Sequence, residues 1–484
     1  MSSIMFQGTG SNVGKSILVA GICRIAKRRG ISVVPFKPQN MSNNATVTKL
    51  NKEMSRAQAF QSFASGVDPH ADMNPVLLKP DNNSFTQVLV QGNLFATIES
   101  KDYNNLKKKL IRYVLDSYFR LLNSYDLVIV EGAGSPAEIN LRKYDIANMG
   151  FARAANVPVI LIGDINRGGI IPQILGTKNV LSKLDNNTIK GFIVNKFQGN
   201  VNLFTDGYEY LLKKTNWNGY GILPWFEDAK YFPSEDTYEI KSSLKPKKIK
   251  VVCLCLPRIS NFDDLDPLSQ EENVSLIMLK EGEPIPGDAK LVIIPGTKST
   301  ILDLEFLRKQ KWDIDLKAHH NRGNFILGIC GGYQILGEEI YNFSGLEQGP
   351  NSSFGLGFLK VKTTLLEKKT LTTVKAKHIN TGIEFEGYEI HLGITTGRDC
   401  KNPFAKIGNK FDGAISKDGL IIGSYLHGMF INDDFRKSFL REMGINVKNS
   451  FYINRLNEKL DNFSKFIEEH ININQIFDAA LEHK

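Results

Sequence analysis

A glycine-rich loop between a predicted strand and a predicted helix constrains the fold of this chain more than any other feature. The strand is IMFQG at 4–8, the loop is GTGSNVGKS at 8–16, and a helical pattern runs from about Lys15 to Arg29. Glycines let backbone N–H groups approach an anion closely, and the helix N-terminus adds a favourable dipole. This order of elements predicts an α/β domain that binds a nucleotide phosphate.

The loop departs from the common G-x-x-x-x-G-K-[ST] spacing, because five residues separate Gly8 from Gly14. Lys15 is expected to contact the β- and γ-phosphates, and Ser16 is expected to offer its hydroxyl to Mg²⁺. Asn195 ends the predicted strand 189–194, where its amide suits a nucleotide base, although asparagine is also common in turns. The predicted nucleotide-binding residues are Gly8, Thr9, Asn12, Val13, Gly14, Lys15, Ser16 and Asn195.

A carboxylate at the end of a neighbouring strand usually completes the metal site beside a phosphate loop. Glu131 follows the apolar run YDLVIV, and Asp164 follows VPVILIG. Both would lie at the carboxyl edge of a parallel sheet, where ligands bind in open α/β folds. Glu131 is followed by Gly-Ala-Gly, which leaves room for a ligand, so we predict Ser16 and Glu131 as the Mg²⁺ ligands.

Short apolar runs alternate with helical stretches through the first half of the chain, which favours parallel strands in βαβ units. The predicted strands are 4–8, 31–36, 127–130, 157–163, 189–194 and 219–224. The alternation of apolar runs and helical stretches starts again after the polar, basic segment SSLKPKKIK at 242–250. We therefore predict two α/β domains, each an open, mostly parallel sheet flanked by helices, over 1–241 and 250–441. A linker at 242–249 joins them, and a mostly helical tail fills 442–484.

Cys330 has an unusual setting in the second domain, within FILGICGGYQILG at 325–337. A strand, the turn G-x-C-x-G and a helix form the cysteine version of a nucleophile elbow. The helix N-terminus favours the thiolate form. The backbone N–H of Gly331, with that of Gly296 in PGTKS, is expected to stabilise an oxyanion.

A cysteine nucleophile needs a base. His427 follows the apolar run in IIGSYLHGMF, which would bring it to the same sheet edge as Cys330. His391 in YEIHLG is the second candidate. We predict Cys330 and His427 as the catalytic pair.

The composition limits the classes of protein to which this chain can belong. The chain of 484 residues is 42% hydrophobic and 23% charged, which is typical of a globular protein. No apolar run reaches the length of a membrane span, and the N-terminus lacks a signal-peptide pattern, so a cytoplasmic location is expected. The net charge is +9, but the lysines are scattered. A solvated surface, or a field that attracts an anionic substrate, is favoured over nucleic-acid binding.

GICGGYQILG at 328–337 together with SYLHG at 424–428 resembles class I glutamine amidotransferase domains. The resemblance implies a glutamyl thioester on Cys330 and release of ammonia. Many members carry a glutamate two residues after the histidine, where this chain has Met429. Another group is therefore expected to orient His427, or the enzyme works with a Cys–His dyad.

The phosphate loop resembles that of dethiobiotin synthetase and its amide-forming relatives, and the fused pair resembles the cobyric acid synthase family. The stretches that carry this second resemblance are PFKPQNMSNN (35–44), RAQAFQ (56–61), MNPVLLKP (73–80), VEGAGSPAEINL (130–141), DIANMGFA (145–152), GDINRGG (163–169), VNKFQG (194–199), PGTKST (295–300) and GYEIHLG (387–393).

The family resemblance implies ATP- and glutamine-dependent amidation of the b, d, e and g carboxylates of adenosylcobyrinic acid a,c-diamide. ATP, Mg²⁺, glutamine and a corrinoid polycarboxylate are the implied ligands. Lys37, Gln39 and Asn40, together with Asn44, follow the second strand and are candidates for a substrate loop, although a polar surface loop fits equally. The alternatives are a cobyrinic acid a,c-diamide synthase, or a ParA-like nucleotide switch with an inactive amidotransferase domain.

Overall fold

Two structural units divide the chain in a computed structural model. The first comprises Met1–Ser42, Lys52–Pro233 and Arg455–Lys484, and the second comprises Asn43–Asn51 and Ser234–Asn454. The structure describes residues 2–80, 85–233, 242, 248–343, 345–347, 349–447 and 451–481. Most of the predicted linker, residues 243–247, lies outside the described residues. The units are not strictly sequential, because a short internal segment belongs with the second and the C-terminal tail with the first.

The first unit is built on a six-stranded parallel sheet, which confirms the predicted fold class. Its strands, in spatial order, are Asn218–Pro224, Ile189–Phe197, Val159–Asp164, Ser2–Gly8, Leu127–Glu131 and Val33–Phe36. The middle strands are apolar and buried along their length because helices cover both faces of a parallel sheet. The phosphate loop therefore begins at the carboxyl edge of a central strand.

The helices of the first unit follow the strands in the expected alternation. They are Lys15–Arg28, Arg56–Ser65, Tyr103–Ser124, Met149–Ala154, Ile170–Val180, Lys183–Thr188 and Thr205–Thr215. A smaller sheet consists of Gln39–Met41, Val76–Pro80, Phe85–Val90 and Asn93–Glu99, and Glu53–Ser55 is a further short strand. None of the described helices combines the length and the apolarity that crossing a bilayer requires.

The C-terminal helices Tyr452–His470 and Ile473–Leu481 complete the first unit. Phe463 and Ile467 pack against the backbone of Gly21, because this glycine has no side chain. A Cβ on Gly21 would lie 2.3 Å from Ile467 Cδ1. Arg24 binds Asp461 through a contact of 2.7 Å between Nε and Oδ1. The tail therefore supports the helix that starts at the phosphate loop.

The second unit contains another six-stranded sheet, with spatial order Val274–Leu279, Ile249–Leu254, Ala289–Ile294, Phe325–Ile329, Ile421–Ser424 and Ala414–Ile415. The first five strands are parallel, and the last is antiparallel. Its helices are Asp266–Ser269, Thr300–Lys309, Trp312–Asn321, Gly331–Leu336 and Asp433–Glu442. Cys330 follows the fourth strand in this order, and His427 comes shortly after the fifth.

A second, mixed sheet in this unit was not predicted. It is dominated by the antiparallel pair Val361–His378 and Glu384–Gly397. Its other strands are Ser352–Phe354, Glu339–Tyr341, Leu426–His427, Ala405–Ile407 and Lys410–Asp412. The pairing of Tyr388 with His427 brings this sheet to the predicted nucleophile–base pair.

Candidate functional site

The phosphate loop of the first unit has the backbone that anion binding needs. Asn12 and Gly14 both have positive φ, at 59° and 92°. Successive left-handed and right-handed residues turn their N–H groups into one concavity. Lys15 Nζ lies across the loop, 3.0 Å from the Gly10 carbonyl oxygen and 3.3 Å from that of Gly134. Two carbonyl oxygens therefore hold the Lys15 amine across the loop.

Glu131 is the centre of a buried polar cluster beside this loop. Its Oε1 accepts hydrogen bonds from Ser16 Oγ at 2.8 Å and Lys37 Nζ at 2.9 Å. Its Oε2 accepts one from Gln61 Nε2 at 2.5 Å. The Glu131 carboxylate is fully buried and forms an ion pair with the Lys37 ammonium group.

The same cluster offers oxygen ligands for a hard cation. It combines the Ser16 hydroxyl, the Glu131 carboxylate and Gln61 Oε1, a buried atom with no hydrogen-bond partner among the described residues. Mg²⁺ prefers such oxygen ligands. Asp164, the alternative considered above, instead accepts a hydrogen bond from Lys196 Nζ at 3.1 Å.

Asn195 lies against the phosphate loop. Its Nδ2 donates to the Val13 carbonyl oxygen at 2.8 Å, and its Oδ1 accepts from the Lys196 backbone N–H at 2.9 Å. A Cβ at Gly14 would lie 2.5 Å from Asn195 Nδ2, so only glycine fits there. Thr9, also predicted to bind nucleotide, donates from Oγ1 to Gln173 Oε1 at 3.1 Å. In this structure the Asn195 side chain therefore stabilises the phosphate loop through its hydrogen bond to Val13.

Three of the four predicted substrate-loop residues, Lys37, Gln39 and Asn40, have separate environments. Lys37 belongs to the Glu131 cluster. Gln39 Oε1 accepts a hydrogen bond from Tyr103 at 2.6 Å. Asn40 is buried, and its Nδ2 donates to Ser55 Oγ at 2.9 Å and to Gln58 Oε1 at 3.1 Å. Gln39 is therefore the more accessible of the two amides.

Cys330 of the second unit occupies a strained elbow. Its φ of 54° and ψ of −108° are rare for a residue with a side chain. The turn joins the strand Phe325–Ile329 directly to the helix Gly331–Leu336. Cys330 Sγ lies 3.5 Å from the Ile390 carbonyl oxygen, and its backbone N–H donates to Ser424 at 2.8 Å. This geometry is typical of a nucleophile on a sharp strand-to-helix turn.

His427 is oriented by Asp264, a residue that the sequence analysis did not select. His427 Nδ1 lies 2.7 Å from Asp264 Oδ2, and the Gly428 N–H donates to Oδ1 of the same carboxylate at 2.6 Å. Met429, at the position where the resemblance to class I domains implied a glutamate, is fully buried. A nucleophile, a base and an orienting carboxylate are thus present, although the carboxylate comes from a distant part of the chain.

The electrostatics of this group favour a charged histidine. Burial alone would lower the pKa of His427, but the Asp264 carboxylate, assisted by Cys330, raises it to about 10. The Tyr388 ring stacks on the imidazole, with 5.2 Å between centroids and 18° between planes. At neutral pH the imidazolium can therefore stabilise a thiolate on Cys330.

The two predicted oxyanion-binding glycines flank the catalytic pair. A Cβ on Gly296 would lie 3.1 Å from His427 Cε1, and a Cβ on Gly331 would lie 2.6 Å from Thr297 Cγ2. Side chains at either position would crowd the site. The backbone at both glycines can therefore approach a small substrate closely.

The segment Asn43–Asn51 reinforces the turn that carries Asp264. Asn261 Nδ2 donates to the Ala45 carbonyl oxygen at 2.6 Å and to Tyr388 Oη at 2.8 Å. The Phe262 N–H donates to Asn44 Oδ1 at 3.3 Å. Asn44, the fourth predicted substrate-loop residue, therefore supports the turn whose Asp264 orients His427.

Comparison with known proteins gives matches over both units. Residues 4–238 match the family described as the CobQ/CobB/MinD/ParA nucleotide binding domain, and residues 250–435 match the CobB/CobQ-like glutamine amidotransferase domain. A cobyric acid synthase from Jannaschia sp. (strain CCS1) is 52% identical over 479 residues, which cover 99% of each chain. One from Paracoccus denitrificans (strain Pd 1222) is 50% identical over 480 residues, covering 99% of this chain and all of the relative.

A solved glutamine amidotransferase structure from Thermotoga maritima aligns with 48% of this chain and 96% of its own. The identity is 13% and the TM-score is 0.28.

Proposed function

The chain belongs to the cobyric acid synthase family, and from this premise we propose the reaction and the residues that carry it. The acceptor is adenosylcobyrinic acid a,c-diamide, whose b, d, e and g carboxylates become amides. Each amide consumes a molecule of glutamine and a molecule of ATP. The observation that supports this most directly is the buried Cys330–His427–Asp264 arrangement in a chain that also carries a complete phosphate loop.

Ammonia is produced at Cys330. The thiolate attacks the side-chain amide carbon of glutamine, and the N–H groups of Gly296 and Gly331 stabilise the oxyanion. His427 gives its proton to the departing ammonia, which leaves a glutamyl thioester. His427 then removes a proton from water, which attacks the thioester and releases glutamate. Asp264 keeps the imidazole in the orientation that both proton transfers need.

ATP activates the acceptor in the first unit. A carboxylate oxygen of the corrinoid attacks the γ-phosphorus, and ADP leaves. Ammonia then attacks the acyl phosphate carbon, loses a proton and expels inorganic phosphate. Lys15 and the loop N–H groups position the phosphates. Ser16 and Glu131, with Gln61, would hold Mg²⁺, which neutralises phosphate charge when bound.

The acceptor site is proposed to include the segment that begins at Lys37. Lys37 lies beside Glu131 and Ser16, so it can bind a carboxylate or a phosphate if Glu131 takes a cation. Gln39 is half-buried and offers an amide at the start of the next strand. Asn40, held by Ser55 and Gln58, contributes by fixing the path of this backbone.

Mass spectrometry of the corrinoid after incubation with full-length protein, Mg²⁺-ATP and glutamine tests the proposal. Stepwise gain of amides is expected, and it should stop without ATP. Cys330→Ala should abolish glutamine-dependent amidation and be rescued by ammonium, whereas Cys255→Ala, on another cysteine of this unit, should behave like the wild type. Lys15→Ala should lose amidation with either nitrogen source and keep glutaminase activity.

The two alternative functions give different results in the same assay. A cobyrinic acid a,c-diamide synthase would amidate cobyrinic acid and leave the a,c-diamide unchanged. A nucleotide switch with an inactive amidotransferase domain would amidate neither corrinoid, even with ammonium. Either result would contradict the proposed reaction.

A further inference from the structure

One face of the strand Glu384–Gly397 packs against the helix that follows the nucleophile. Alternate residues of a strand share a face, so Gly387, Glu389, His391 and Gly393 lie on the same side. A Cβ at Gly387 would lie 2.7 Å from the His427 carbonyl oxygen, and a Cβ at Gly393 would lie 2.6 Å from Gln334 Nε2. Tyr388 pairs with His427 and stacks on its imidazole, so the base lies on the other face of the strand. Glu389 and His391 lie on the face that Gly393 brings against Gln334, in the helix that follows the nucleophile.

The tautomer of His391 follows from its neighbours. Its Nδ1 lies 2.8 Å from the Gly393 carbonyl oxygen, which can only accept, so Nδ1 carries a hydrogen. In the neutral ring Nε2 then has a free lone pair. The side chain is 9% exposed, and Nε2 has no hydrogen-bond partner among the described residues. An unsatisfied buried acceptor is costly, and a ligand that donates a hydrogen bond would remove this cost.

The Glu389 carboxylate is a second hydrogen-bond acceptor beside His391 Nε2. Glu389 Oε1 lies 3.7 Å from His391 Nε2, and the Glu389 side chain is 18% exposed. Two acceptors at this separation, one of them negative, suit a primary ammonium group that donates to both. The His391 ring is held by stacking on Tyr425, at 3.8 Å and 17°. Tyr425 Oη in turn accepts from Gln334 Nε2 at 3.3 Å, so the acceptor is preorganised.

The position relative to the nucleophile fits an amino-acid substrate. Ile390 lies between the two acceptors in sequence, and its carbonyl oxygen is the one that Cys330 Sγ contacts at 3.5 Å. A ligand whose amide carbon lies at Cys330 would extend only a few bonds to its amino group. The acceptor pair is therefore close to where the head group of glutamine must lie.

We propose that Glu389 and His391 bind the α-ammonium group of glutamine and make the glutaminase selective for α-amino acids. This inference rests on the proposed glutaminase activity and names the residues that recognise its substrate. In this role His391, the second candidate for the base, is a binding residue and His427 remains the base. The other possible occupant is the ammonium ion formed from the released ammonia, which the experiment distinguishes.

The test compares L-glutamine with glutaramate, which has the same amide and carboxylate but no α-amino group. In full-length Glu389→Gln, we expect kcat/KM for L-glutamine to fall about ten- to a hundredfold, mainly through KM, because a charge-assisted hydrogen bond is lost. The constants for glutaramate should change little. Glu386→Gln is the matched control, because Glu386 lies on the opposite face of the strand and is exposed.

Binding measurements repeat the test on a variant that cannot hydrolyse glutamine. With Cys330→Ala, titration calorimetry should show weaker L-glutamine binding after Glu389→Gln or His391→Phe, and unchanged glutaramate binding. Equal losses for both ligands, or no loss for L-glutamine, would overturn the proposal. Absence of glutaminase activity in the wild-type protein would instead refute the proposed function, so the two failures are distinguishable.

Discussion

Replacing Asp264 by asparagine tests the triad geometry most directly. The pKa of His427 rises from 6.5 to about 10 in the folded protein. At about 1.4 kcal/mol for each pH unit, the surroundings favour the imidazolium by about 5 kcal/mol. Asparagine keeps a side chain of the same shape but removes the charge. Burial, which lowers the pKa of His427, would then dominate, and the imidazole would be neutral at pH 7.5.

The expected result is a fall of about a thousandfold in glutaminase kcat/KM for Asp264→Asn, since the loss of about 4 to 5 kcal/mol is only partly offset by a neutral hydrogen bond. Amidation with ammonium should continue at the wild-type rate. Asp266→Asn, two residues along, is the control. The rate of Cys330 alkylation by iodoacetamide at pH 7.5 should fall, because the neutral imidazole no longer stabilises the thiolate. A glutaminase rate within tenfold of wild type, with an unchanged alkylation rate, would refute the reasoning.

Other predictions follow from single contacts. Gly14→Ala should abolish ATP binding, measured by calorimetry, because its positive φ and a Cβ 2.5 Å from Asn195 would distort the loop. Asn261→Ala removes the hydrogen bonds that hold the turn carrying Asp264. It should therefore lower glutaminase kcat more than it raises KM, and ammonium-dependent amidation should remain intact. Burial lowers the pKa of His319 and His378 to about 4. The unfolded chain then takes up protons first as pH falls below 6.5, so the free energy of unfolding should decrease by up to about 3 kcal/mol per histidine between pH 6.5 and 4. Thermal unfolding across this range, with His319→Gln giving a shallower decrease, checks this.

Local patterns account for the parts of the structure that were predicted correctly. The strand before the phosphate loop and the helix after it were placed to within two residues, because a short apolar run, a glycine-rich loop and a helical stretch follow one another directly. The proximity of Ser16 to Glu131 also followed from topology, since parallel strands bring their carboxyl ends to one edge. Both inferences need only neighbouring residues and the general rules of sheet construction.

Long-range partners could not be found in this way. Asp264 lies 163 positions from His427 and stands in a turn with Asp263 and Asp266, so nothing local distinguishes it. Gln61 lies on a helix with other polar residues and reaches Glu131 only in the folded unit. The C-terminal tail shows amphipathic helices, but its packing on Gly21 depends on a small residue hundreds of positions away. Such contacts depend on tertiary packing, which the local pattern does not specify.

The segment Asn43–Asn51 has a consequence for how the chain can be divided. The sequence suggested a boundary near 242–249, yet Asn44 and Ala45 hold the turn that leads to Asp264. A fragment that begins at the predicted linker would lack these hydrogen bonds and leave the buried Asn261 amide without its carbonyl acceptor at Ala45, a cost of about 1–3 kcal/mol. Only a few residues separate Asn44 from Lys37, which contacts Glu131 in the nucleotide-binding unit. The orientation of His427 therefore depends on a segment continuous with the phosphate site, so the glutaminase is expected to be fully active only in the intact chain.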